Sequence, residues 1–309
     1  MADRGSSSRT EIGGSGGRVM RNAGWVLRAG FVGLFVLSGW VGAAEPAKGG
    51  ERYLRFRVGD SIAYGVVEGD RVRELKGDLF GEHSKTDRTH ALKDVTPLAP
   101  TEPTQVFALA GNYRSHLGNK EVPPLFRIPQ PFLKPVSCLI ASGEAIVIPK
   151  DAPGPVHAEG ELVIVIGKRA SKVSKEDALD YVLGVTCGND VSDRHWQNDE
   201  KDKDVQWWRA KGADTFGPVG PYIATGLDYN NLLLRVRING ELKQEERTDD
   251  MIHNVADTVS FISRYVTLHP GDLIFTGTSG ETTALKPGDV VEVELEGVGT
   301  LRNPVKAEE

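Results

Sequence analysis

The sequence predicts a β-rich fold of the mixed α+β class, and three observations carry that prediction. Short apolar runs bounded by glycine, proline and aspartate recur along the chain, which is typical of strands and tight turns. Apolar spacing of the helical kind is confined to a few segments. The alternating strand–helix rhythm of a doubly wound parallel sheet is missing, as are nucleotide-binding motifs and internal repeats of 20 to 50 residues.

The N-terminal part of this fold is predicted to be a small β-rich domain that spans residues 45–104. Apolar and polar side chains alternate between residues 52 and 75, and glycine–aspartate pairs at 59–60 and 69–70 divide this stretch into a three-stranded meander. Residues 76–104 are polar, with prolines near the end. We expect them to form a linker that holds at most a short helix.

Residues 105–309 are predicted to form a larger domain in which strands outnumber helices. The Asn239-Gly240 pair signals a hairpin turn, and Ser174 with Asp177 forms a capping box at the start of a short helix. Strands are expected at 106–110, 161–166, 183–187, 232–238, 273–276 and 290–295, and helices at 174–181 and 255–265.

The first 44 residues differ from the rest of the chain and are predicted to be a leader. They contain five arginines, no lysine and two acidic residues, whereas the whole chain has a net charge of −6. A disordered Ser/Gly/Arg-rich stretch precedes a basic segment, an uncharged apolar run and small residues up to Ala44, which is the pattern of a secretory signal peptide.

This leader predicts export to the periplasm or the extracellular space after cleavage near Ala44, with no stable membrane span in the mature chain. Either Met1 or Met20 is the start codon, because residues 20–44 alone make a complete signal. The alternative is an uncleaved N-terminal membrane anchor, for which the apolar run is shorter than the ~20 residues of a spanning helix.

Composition excludes several classes of protein. The chain is 39% hydrophobic and 26% charged, which is ordinary globular composition. Its net charge of −6 argues against nucleic acid as the main partner. Two cysteines cannot build a disulfide framework or a cysteine-based zinc site. Cys138 and Cys187 both flank apolar runs, so we expect separate buried thiols rather than a disulfide.

Three acidic residues beside two apolar strands form the strongest local signal. Glu159 and Glu161 stand at the start of the strand predicted at 161–166, and side chains two apart in a strand face the same side. Asp190 follows the strand predicted at 183–187. Adjacent carboxylates repel unless a cation or a proton lies between them, and such hard oxygen ligands suit Mg²⁺, Mn²⁺ or Ca²⁺ better than Zn²⁺. The alternative is that both glutamates face solvent on an edge strand.

A series of short motifs runs in order through roughly residues 105–305. They are Gly111-Asn112-Tyr113 with His116, Phe132-Leu133-Lys134-Pro135, Glu159-Gly160-Glu161-Leu162, Gly188-Asn189-Asp190-Val191-Ser192 with Arg194 and Gln197, Lys211, Asp214-Thr215-Phe216-Gly217-Pro218, Asn239-Gly240-Glu241, Pro270-Gly271-Asp272, Thr276-Gly277-Thr278, Pro287-Gly288-Asp289 and Gly299-Thr300-Leu301-Arg302-Asn303. Each motif is weak alone, but the ordered set resembles the fumarylacetoacetate hydrolase family.

The resemblance implies a mixed β-sandwich-like roll of the fumarylacetoacetase C-terminal type, usually a homodimer. It implies a divalent metal, Mg²⁺ or alternatively Mn²⁺ or Ca²⁺, held by Glu159, Glu161 and Asp190. The family acts on small anionic 2-oxo acids and 1,3-dicarbonyl compounds by C–C hydrolysis, decarboxylation, isomerisation or dehydration. The shared chemical requirement is a Lewis acid that stabilises an enolate.

By resemblance, His116 is the general base, and an unperturbed pKa of about 6.5 suits that role. The alternative is an ordinary histidine of a surface loop. In several relatives a glutamate three residues further on orients this histidine, but Asn119 stands there in this chain. Glu121 is the nearest acid and the candidate substitute, although a spacing of five suits a shared helix face poorly. This departure shifts weight toward reactions that need no activated water.

The remaining site residues are also assigned by resemblance. Lys211 is expected to be a catalytic point charge near developing negative charge. The expected substrate-binding residues are Asn112, Tyr113, Lys134, Arg194, Gln197 and Thr278. For Arg194, Gln197 and Lys211 the alternative is an ordinary surface salt bridge.

The leading functional prediction is a divalent-metal-dependent enzyme that hydrolyses a C–C bond in a small 2-oxo or 1,3-dicarbonyl acid of the fumarylacetoacetate or acylpyruvate type. The alternatives are an isomerase or decarboxylase of 2-hydroxymuconate-type acids and a ureidoglycolate-type lyase. A hypothesis of another class is an exported protein that binds dicarboxylates without turning them over.

Overall fold

Strands dominate the computed structural model, which describes residues 50–118 and 121–309. The signal peptide, the cleavage site and the start codon predicted within residues 1–44 lie outside the described residues. No helix in the described ranges is both long enough and apolar enough to cross a membrane.

The strands form mixed sheets, and the three helices are short. In chain order the strands are β1 (Arg52–Val58), β2 (Ser61–Glu68), β3 (Arg71–Gly77), β4 (His83–Ala91), β5 (Thr96–Pro97), β6 (Val106–Leu109), β7 (Pro131–Lys134), β8 (Leu139–Ile140), β9 (Ile146–Ile148), β10 (Val156–Ala158), β11 (Gly160–Ile166), β12 (Val182–Asn189), β13 (Ser192–Asp193), β14 (Gly217–Ala224), β15 (Leu233–Ile238), β16 (Glu241–Arg247), β17 (Leu273–Phe275), β18 (Thr283–Ala284), β19 (Val290–Leu295) and β20 (Gly299–Ala307). The helices of the described ranges are α1 (Arg194–Asn198), α2 (Trp208–Gly212) and α3 (Val255–Tyr265).

The largest sheet runs in the order β4-β3-β2-β1-β14-β12-β11-β17-β6-β7, with β5 added on β1 and β8 on β14. The N-terminal meander therefore joins the same sheet as the strands that carry the acidic residues, because β1 pairs antiparallel with β14. Most neighbours are antiparallel, but β6 pairs parallel with β17. The β-rich, mixed fold expected from the sequence is confirmed.

A second sheet, in the order β16-β15-β19-β20-β9, supplies the other wall of the main core. Along β15 the burial alternates, so that Leu234, Val236 and Ile238 face the core. Val236 lies against Gly160, the residue between the two glutamates, where any Cβ would collide with the Cγ2 methyl carbon of Val236. The close approach of the two sheets therefore requires glycine at this position.

A third, small sheet consists of β13, β10 and β18. Its central strand pairs with one neighbour through His157 opposite Ser192, and with the other through His157 opposite Ala284. The small sheet thus brings three distant segments of the chain together directly beside the acidic residues.

The prediction for residues 76–104 was wrong in one respect. Residues His83–Ala91 form β4, an edge strand paired with β3, with Lys85 opposite Leu75 and His90 opposite Val72. This strand is mostly polar and exposed, because an edge strand of this sheet has little core to cover. It therefore lacks the apolar alternation on which the sequence prediction depended.

The two predicted helices had different outcomes. Val255–Tyr265 forms as expected, and it is preceded by a capping box in which Asn254 and Asp257 bind each other's backbone N–H groups. The helix predicted at 174–181 is only a short 3₁₀ turn, Ala178–Tyr181. Ser174 Oγ does accept from the Asp177 N–H, at 3.2 Å. The turn runs directly into β12, which begins at Val182.

Candidate metal centre and active site

The three predicted acidic residues meet because β11 and β12 are antiparallel neighbours. Gly160 pairs with Asn189, so in this antiparallel register Glu159 lies across from Asp190. The Asp190 N–H donates to the Glu159 carbonyl oxygen at 2.9 Å, and the Glu159 N–H donates to the side chain of Asn189 at 2.9 Å. Glu159 occupies the junction between β10 and β11 rather than a strand position. Its side chain nevertheless converges with that of Glu161.

The carboxylates of Glu159, Glu161 and Asp190 form one buried cluster. One oxygen atom from each lies within 4.8 Å of the others, and the three residues are between 1% and 4% exposed. The burial of Glu159 and Glu161 excludes the alternative in which both glutamates face solvent.

Two lysines and one arginine surround the cluster. Lys211 Nζ donates to Glu159 Oε2 at 2.6 Å, to Asp190 Oδ2 at 2.7 Å and to Ser192 Oγ at 2.6 Å. Lys134 Nζ donates to Asp190 Oδ1 at 2.6 Å and is itself buried. Arg194 Nη2 lies 2.6 Å from Glu159 Oε1. Both carboxylate oxygens of Glu159 and both of Asp190 therefore have a cationic partner.

The electrostatic surroundings of the carboxylates differ. Burial alone would raise the pKa of Glu159, but the charges of Lys211 and Arg194 outweigh it and hold that pKa at about 2. Burial raises the pKa of Glu161 well above its ordinary value, and the charges of Asp190 and Glu159 add to this rise. For Lys211, burial would lower the pKa, yet the charges of Asp190 and Glu159 raise it.

Glu161 is the carboxylate that most needs a further positive charge. Among the described residues its hydrogen-bond donor is the Gly277 N–H, at 2.7 Å, and no lysine or arginine forms an ion pair with it. A buried carboxylate beside two others is stable in its charged form only with a cation nearby. Three carboxylate oxygens so placed fit a hard divalent cation, which Glu159, Glu161 and Asp190 would hold.

His116 is tied to the loop that follows β17. Its Nδ1 atom lies 2.6 Å from the carbonyl oxygen of Gly280. Because a carbonyl can only accept, Nδ1 carries the proton and Nε2 is left with a free lone pair. The Gly280 N–H in turn donates to Ser115 Oγ at 3.1 Å, so the two segments hold each other through two hydrogen bonds.

Glu121 does not orient His116 in this structure. Its carboxylate forms a 2.8 Å ion pair with Arg127, and its side chain is 87% exposed. The expected substitution of Glu121 for the missing acid at position 119 is therefore not found among the described contacts, and residue 119 itself lies outside the described residues. The hydrogen-bond partner of His116 Nδ1 is instead the carbonyl oxygen of Gly280.

Arg194 and Gln197 lie together on α1, as their resemblance-based assignment requires. Arg194 Nη1 donates to Gln197 Oε1 at 2.6 Å, and Nη2 donates to Thr282 Oγ1 at 2.6 Å. The Thr282 hydroxyl is also 2.8 Å from His157 Nδ1. Burial, followed by the charge of Arg194, lowers the pKa of His157.

Three residues assigned to substrate binding, Asn112, Tyr113 and Thr278, are buried. The Asn112 amide bonds the backbone of His253 and Thr276. Tyr113 is completely buried. The Thr278 hydroxyl donates to the Gly160 carbonyl oxygen at 3.0 Å. The side chains of Asn112 and Thr278 thus support the walls of the site. The hydroxyl of Tyr113 differs, because it has no hydrogen-bond partner among the described residues.

The sequence reasoning did not single out three residues that the structure places at the site. Ser192 accepts from Lys211 and donates to the Asp190 carbonyl, Gly277 binds Glu161, and Thr282 binds Arg194. Ser192 and Gly277 stand inside the quoted motifs, so the motifs carried a signal for them. Thr282 stands outside those motifs, and no local sequence signal indicated it.

Two family models match the chain. Residues 105–306 match the model described as fumarylacetoacetate (FAA) hydrolase C-terminal, and residues 51–100 match the one described as Rv2993c-like, N-terminal. Protein Rv2993c of Mycobacterium tuberculosis is 42% identical over 268 residues, which cover 82% of this chain and 97% of that protein. The mitochondrial oxaloacetate tautomerase fahd2 of Xenopus laevis is 36% identical over 223 residues, 69% of each protein.

Solved structures are similar over most of the chain. The crystal structure of 5-carboxymethyl-2-hydroxymuconate delta-isomerase from Mycobacterium smegmatis is 40% identical with a TM-score of 0.76, covering 83% of this chain and 100% of that one. Maleylpyruvate hydrolase from Sphingobium sp. SYK-6, crystallised with manganese(II) and pyruvate, is 26% identical with a TM-score of 0.69, covering 84% and 100%. Proteins similar to this chain thus include a hydrolase, an isomerase and a tautomerase.

Proposed function

The chain belongs to the fumarylacetoacetate hydrolase family, and from that premise we propose that it is a divalent-metal-dependent enzyme that interconverts the enol and keto forms of a small 2-oxo dicarboxylic acid. One observation carries the choice of reaction: the buried cluster of Glu159, Glu161 and Asp190 stands with a histidine that is oriented by a backbone carbonyl. The Gly280 carbonyl orients His116 for proton transfer. Because it is not a carboxylate, it cannot help the histidine to take up a proton from an attacking water molecule.

The carboxylate cluster would hold the metal. Bound there, a divalent cation would polarise the substrate carbonyl group and stabilise the negative charge of the enolate. The choice of a metal is supported by the buried Glu161 carboxyl group, which has no ion-pair partner among the described residues, and by the manganese(II) in the similar maleylpyruvate hydrolase. Mg²⁺ and Mn²⁺ both suit the all-oxygen donor set.

His116 is the proposed proton carrier. With Nδ1–H bound to the Gly280 carbonyl, Nε2 can accept the proton from the carbon next to the substrate carbonyl and return it to the enolate oxygen. One proton leaves carbon and one reaches oxygen, so the keto form becomes the enol without a net change in composition. The reverse transfer gives the keto form.

Lys211 and Arg194 supply fixed positive charge. Lys211 forms ion pairs with Glu159 and Asp190 and keeps a buried positive charge beside the place where negative charge develops. Arg194 is partly exposed, with 18% of its side chain accessible. Its remaining N–H groups can therefore contact an anionic oxygen of the substrate.

C–C bond hydrolysis is the second candidate, because the similar maleylpyruvate hydrolase has the same fold. The test incubates purified protein with Mn²⁺ or Mg²⁺ and with oxaloacetate, acylpyruvates and 2-hydroxymuconate-type acids, with metal omitted in one arm. Enol–keto interconversion that needs metal, without shorter products, supports the proposal. Cleavage products would favour hydrolysis, and tight binding without turnover would favour a binding protein.

Two further proposals come from the sequence. Homodimer formation is suggested by the family resemblance, and the mass of the native protein in solution, from light scattering, tests it. Export is suggested by the leader pattern, and N-terminal sequencing of secreted protein that began before Ala43 would contradict the cleavage site.

A further inference from the structure

We propose that Thr282 is a positioning residue for Arg194, and that it fixes the guanidinium group at the edge of the carboxylate cluster where an anionic substrate binds. The inference rests on the proposed function. Thr282 lies in the loop between β17 and β18, outside every residue assigned from the family resemblance.

The small sheet places Thr282 beside Glu159. In the pairing of β10 with β18, His157 lies opposite Ala284 and Ala158 lies opposite Thr283. Continuing this register by one residue brings Thr282 alongside Glu159. The Leu285 N–H donates to the Val156 carbonyl oxygen at 2.7 Å and fixes the other end of the pairing.

The backbone of Arg194 is fixed from the opposite side of the same sheet. Its N–H donates to the Pro155 carbonyl oxygen at 3.1 Å. Asp193, just before it, caps α1 by accepting from the His195 and Trp196 N–H groups, both at 2.9 Å. The first atoms of the arginine are therefore held, and the orientation of its long side chain depends on what its guanidinium group contacts.

The guanidinium group is held by three partners from three segments. Nη2 is 2.6 Å from Glu159 Oε1 and 2.6 Å from Thr282 Oγ1, and Nη1 is 2.6 Å from Gln197 Oε1. Gln197 belongs to the same helix as Arg194 and moves with it. Besides Glu159, Thr282 is therefore the partner that connects the Arg194 side chain to a separate segment of the chain.

Thr282 can hold the arginine because its own hydroxyl is fixed at two points. Arg194 only donates, so Thr282 Oγ1 must accept from it, and a hydroxyl has a second hydrogen bond to form. His157 Nδ1, at 2.8 Å, takes that second bond. His157 lies in β10, the central strand of the small sheet. The hydrogen bonds from Arg194 to Thr282 and from Thr282 to His157 therefore end at a strand that is paired on both sides.

The probe for this inference is oxalate, a planar dianion that resembles the enolate of a 2-oxo acid, titrated calorimetrically into the protein at saturating Mn²⁺. Thr282→Val keeps the shape of the side chain and removes the hydroxyl. It should weaken oxalate binding about tenfold, which corresponds to the loss of one hydrogen bond to a charged group. Thr282→Ser should bind as the wild type does, and Mn²⁺ affinity should stay within about twofold, because no metal ligand is changed.

Thr283→Val is the matched control. Thr283 is the adjacent residue and is also half-buried, and its hydroxyl has no hydrogen-bond partner among the described residues. This variant should bind oxalate as the wild type does. Equal weakening by both valine substitutions would overturn the proposal, as would a Thr282→Ser variant as weak as Thr282→Val.

A double-mutant cycle decides whether Thr282 acts through Arg194. Arg194→Lys should weaken oxalate binding, and adding Thr282→Val to it should cause no further loss. Additive losses would show that Thr282 acts independently, which overturns the positioning role. A wild-type protein that binds Mn²⁺ but no oxalate would instead overturn the proposed function, and this inference with it. The two failures are therefore distinguishable.

Discussion

The ammonium group of Lys211 donates a 2.6 Å hydrogen bond to the carboxylate of Glu159, and both residues are 4% exposed. The same ammonium reaches Asp190, so one lysine compensates two members of the carboxylate cluster. Glu161 stays outside this compensation. The site thus contains two carboxylates that form ion pairs with side chains of the protein and one, Glu161, that forms none among the described residues.

Replacing Lys211 with Met should destabilise the metal-free protein by roughly 3–5 kcal/mol, because two buried carboxylates lose a cationic partner. Mn²⁺ should restore part of this loss, since a ligand that binds only the folded state raises its stability. Urea unfolding with and without Mn²⁺ measures both effects. Lys175→Met is the control, because Lys175 forms an ion pair with Asp257 at the surface. A K211M protein as stable as the wild type without metal would contradict the assignment.

Glu161→Gln should abolish activity and strongly weaken Mn²⁺ binding while leaving the metal-free protein at least as stable as the wild type. The stability follows because burial and two neighbouring carboxylates disfavour the charged form of Glu161, which the amide replaces. Calorimetric Mn²⁺ titration and thermal unfolding measure the two parts. The exposed Glu281 gives the control, Glu281→Gln. Full activity of E161Q in the presence of a chelator would rule out the metal mechanism.

His116→Ala should lower kcat by about 10²- to 10⁴-fold, the usual contribution of a general acid or base. Mn²⁺ binding should be unchanged, because His116 is not a proposed ligand. Steady-state kinetics on the substrate found in the panel measures the effect.

Glu121→Gln separates the two possible orienting partners of His116. Because Glu121 pairs with Arg127 at the surface, its variant should keep wild-type activity. A loss comparable to that of H116A would mean that Glu121 reaches the histidine during turnover, contrary to the contact seen in the structure.

Gly160→Ala should destabilise the protein by about 1–3 kcal/mol, the usual effect of overpacking, because the new methyl group would collide with Val236 of the facing sheet. It should also weaken Mn²⁺ binding, since residues 159 and 161 flank the clash. Combining it with Val236→Ala makes room and should recover Mn²⁺ affinity. If V236A fails to restore any affinity, the requirement for glycine has another cause.

Both cysteines should be unreactive in the native protein and free after unfolding. Burial raises the pKa of Cys187 to about 12 and also raises that of Cys138. At pH 9 an exposed thiol with a pKa of about 8.5 would be mostly thiolate, whereas Cys187 stays protonated and Cys138 is fully buried. Titration with a thiol reagent at pH 9 should find no fast reaction in native protein. Denatured, unreduced protein should show two free thiols. A titration that found no free thiol would indicate a disulfide.

The sequence predicted the central strands and α3 because their patterns are local. Val163 and its neighbours form a continuous apolar run, and Val255, Val259 and Ile262 recur at helical spacing along α3. It missed β4 because the polar residues of an edge strand are held by backbone pairing with β3, which no side-chain pattern reveals. At Ser174 only half of the predicted capping box forms, the bond from the Asp177 N–H to Ser174 Oγ, and a 3₁₀ turn follows it rather than an α-helix.

For the site, the spacing of Glu159 and Glu161 and the position of Asp190 after a strand were sufficient to propose a shared cluster. The same reasoning could not decide which polar side chains face the cluster. The side chains of Asn112 and Thr278 form hydrogen bonds with the backbone of other segments. Thr282, which belongs to none of the motifs, contacts Arg194.

By itself the sequence determined the β-rich class, most central strands and the acidic residues of the cluster, because each depends on residues close together in the chain. Only the tertiary structure decided that Lys211 bridges Glu159 and Asp190, that the Gly280 carbonyl orients His116 and that Thr282 holds Arg194. These contacts join segments between 21 and 164 residues apart. Such contacts depend on sheet pairing and register, which place distant residues within hydrogen-bond distance and which local periodicity does not specify.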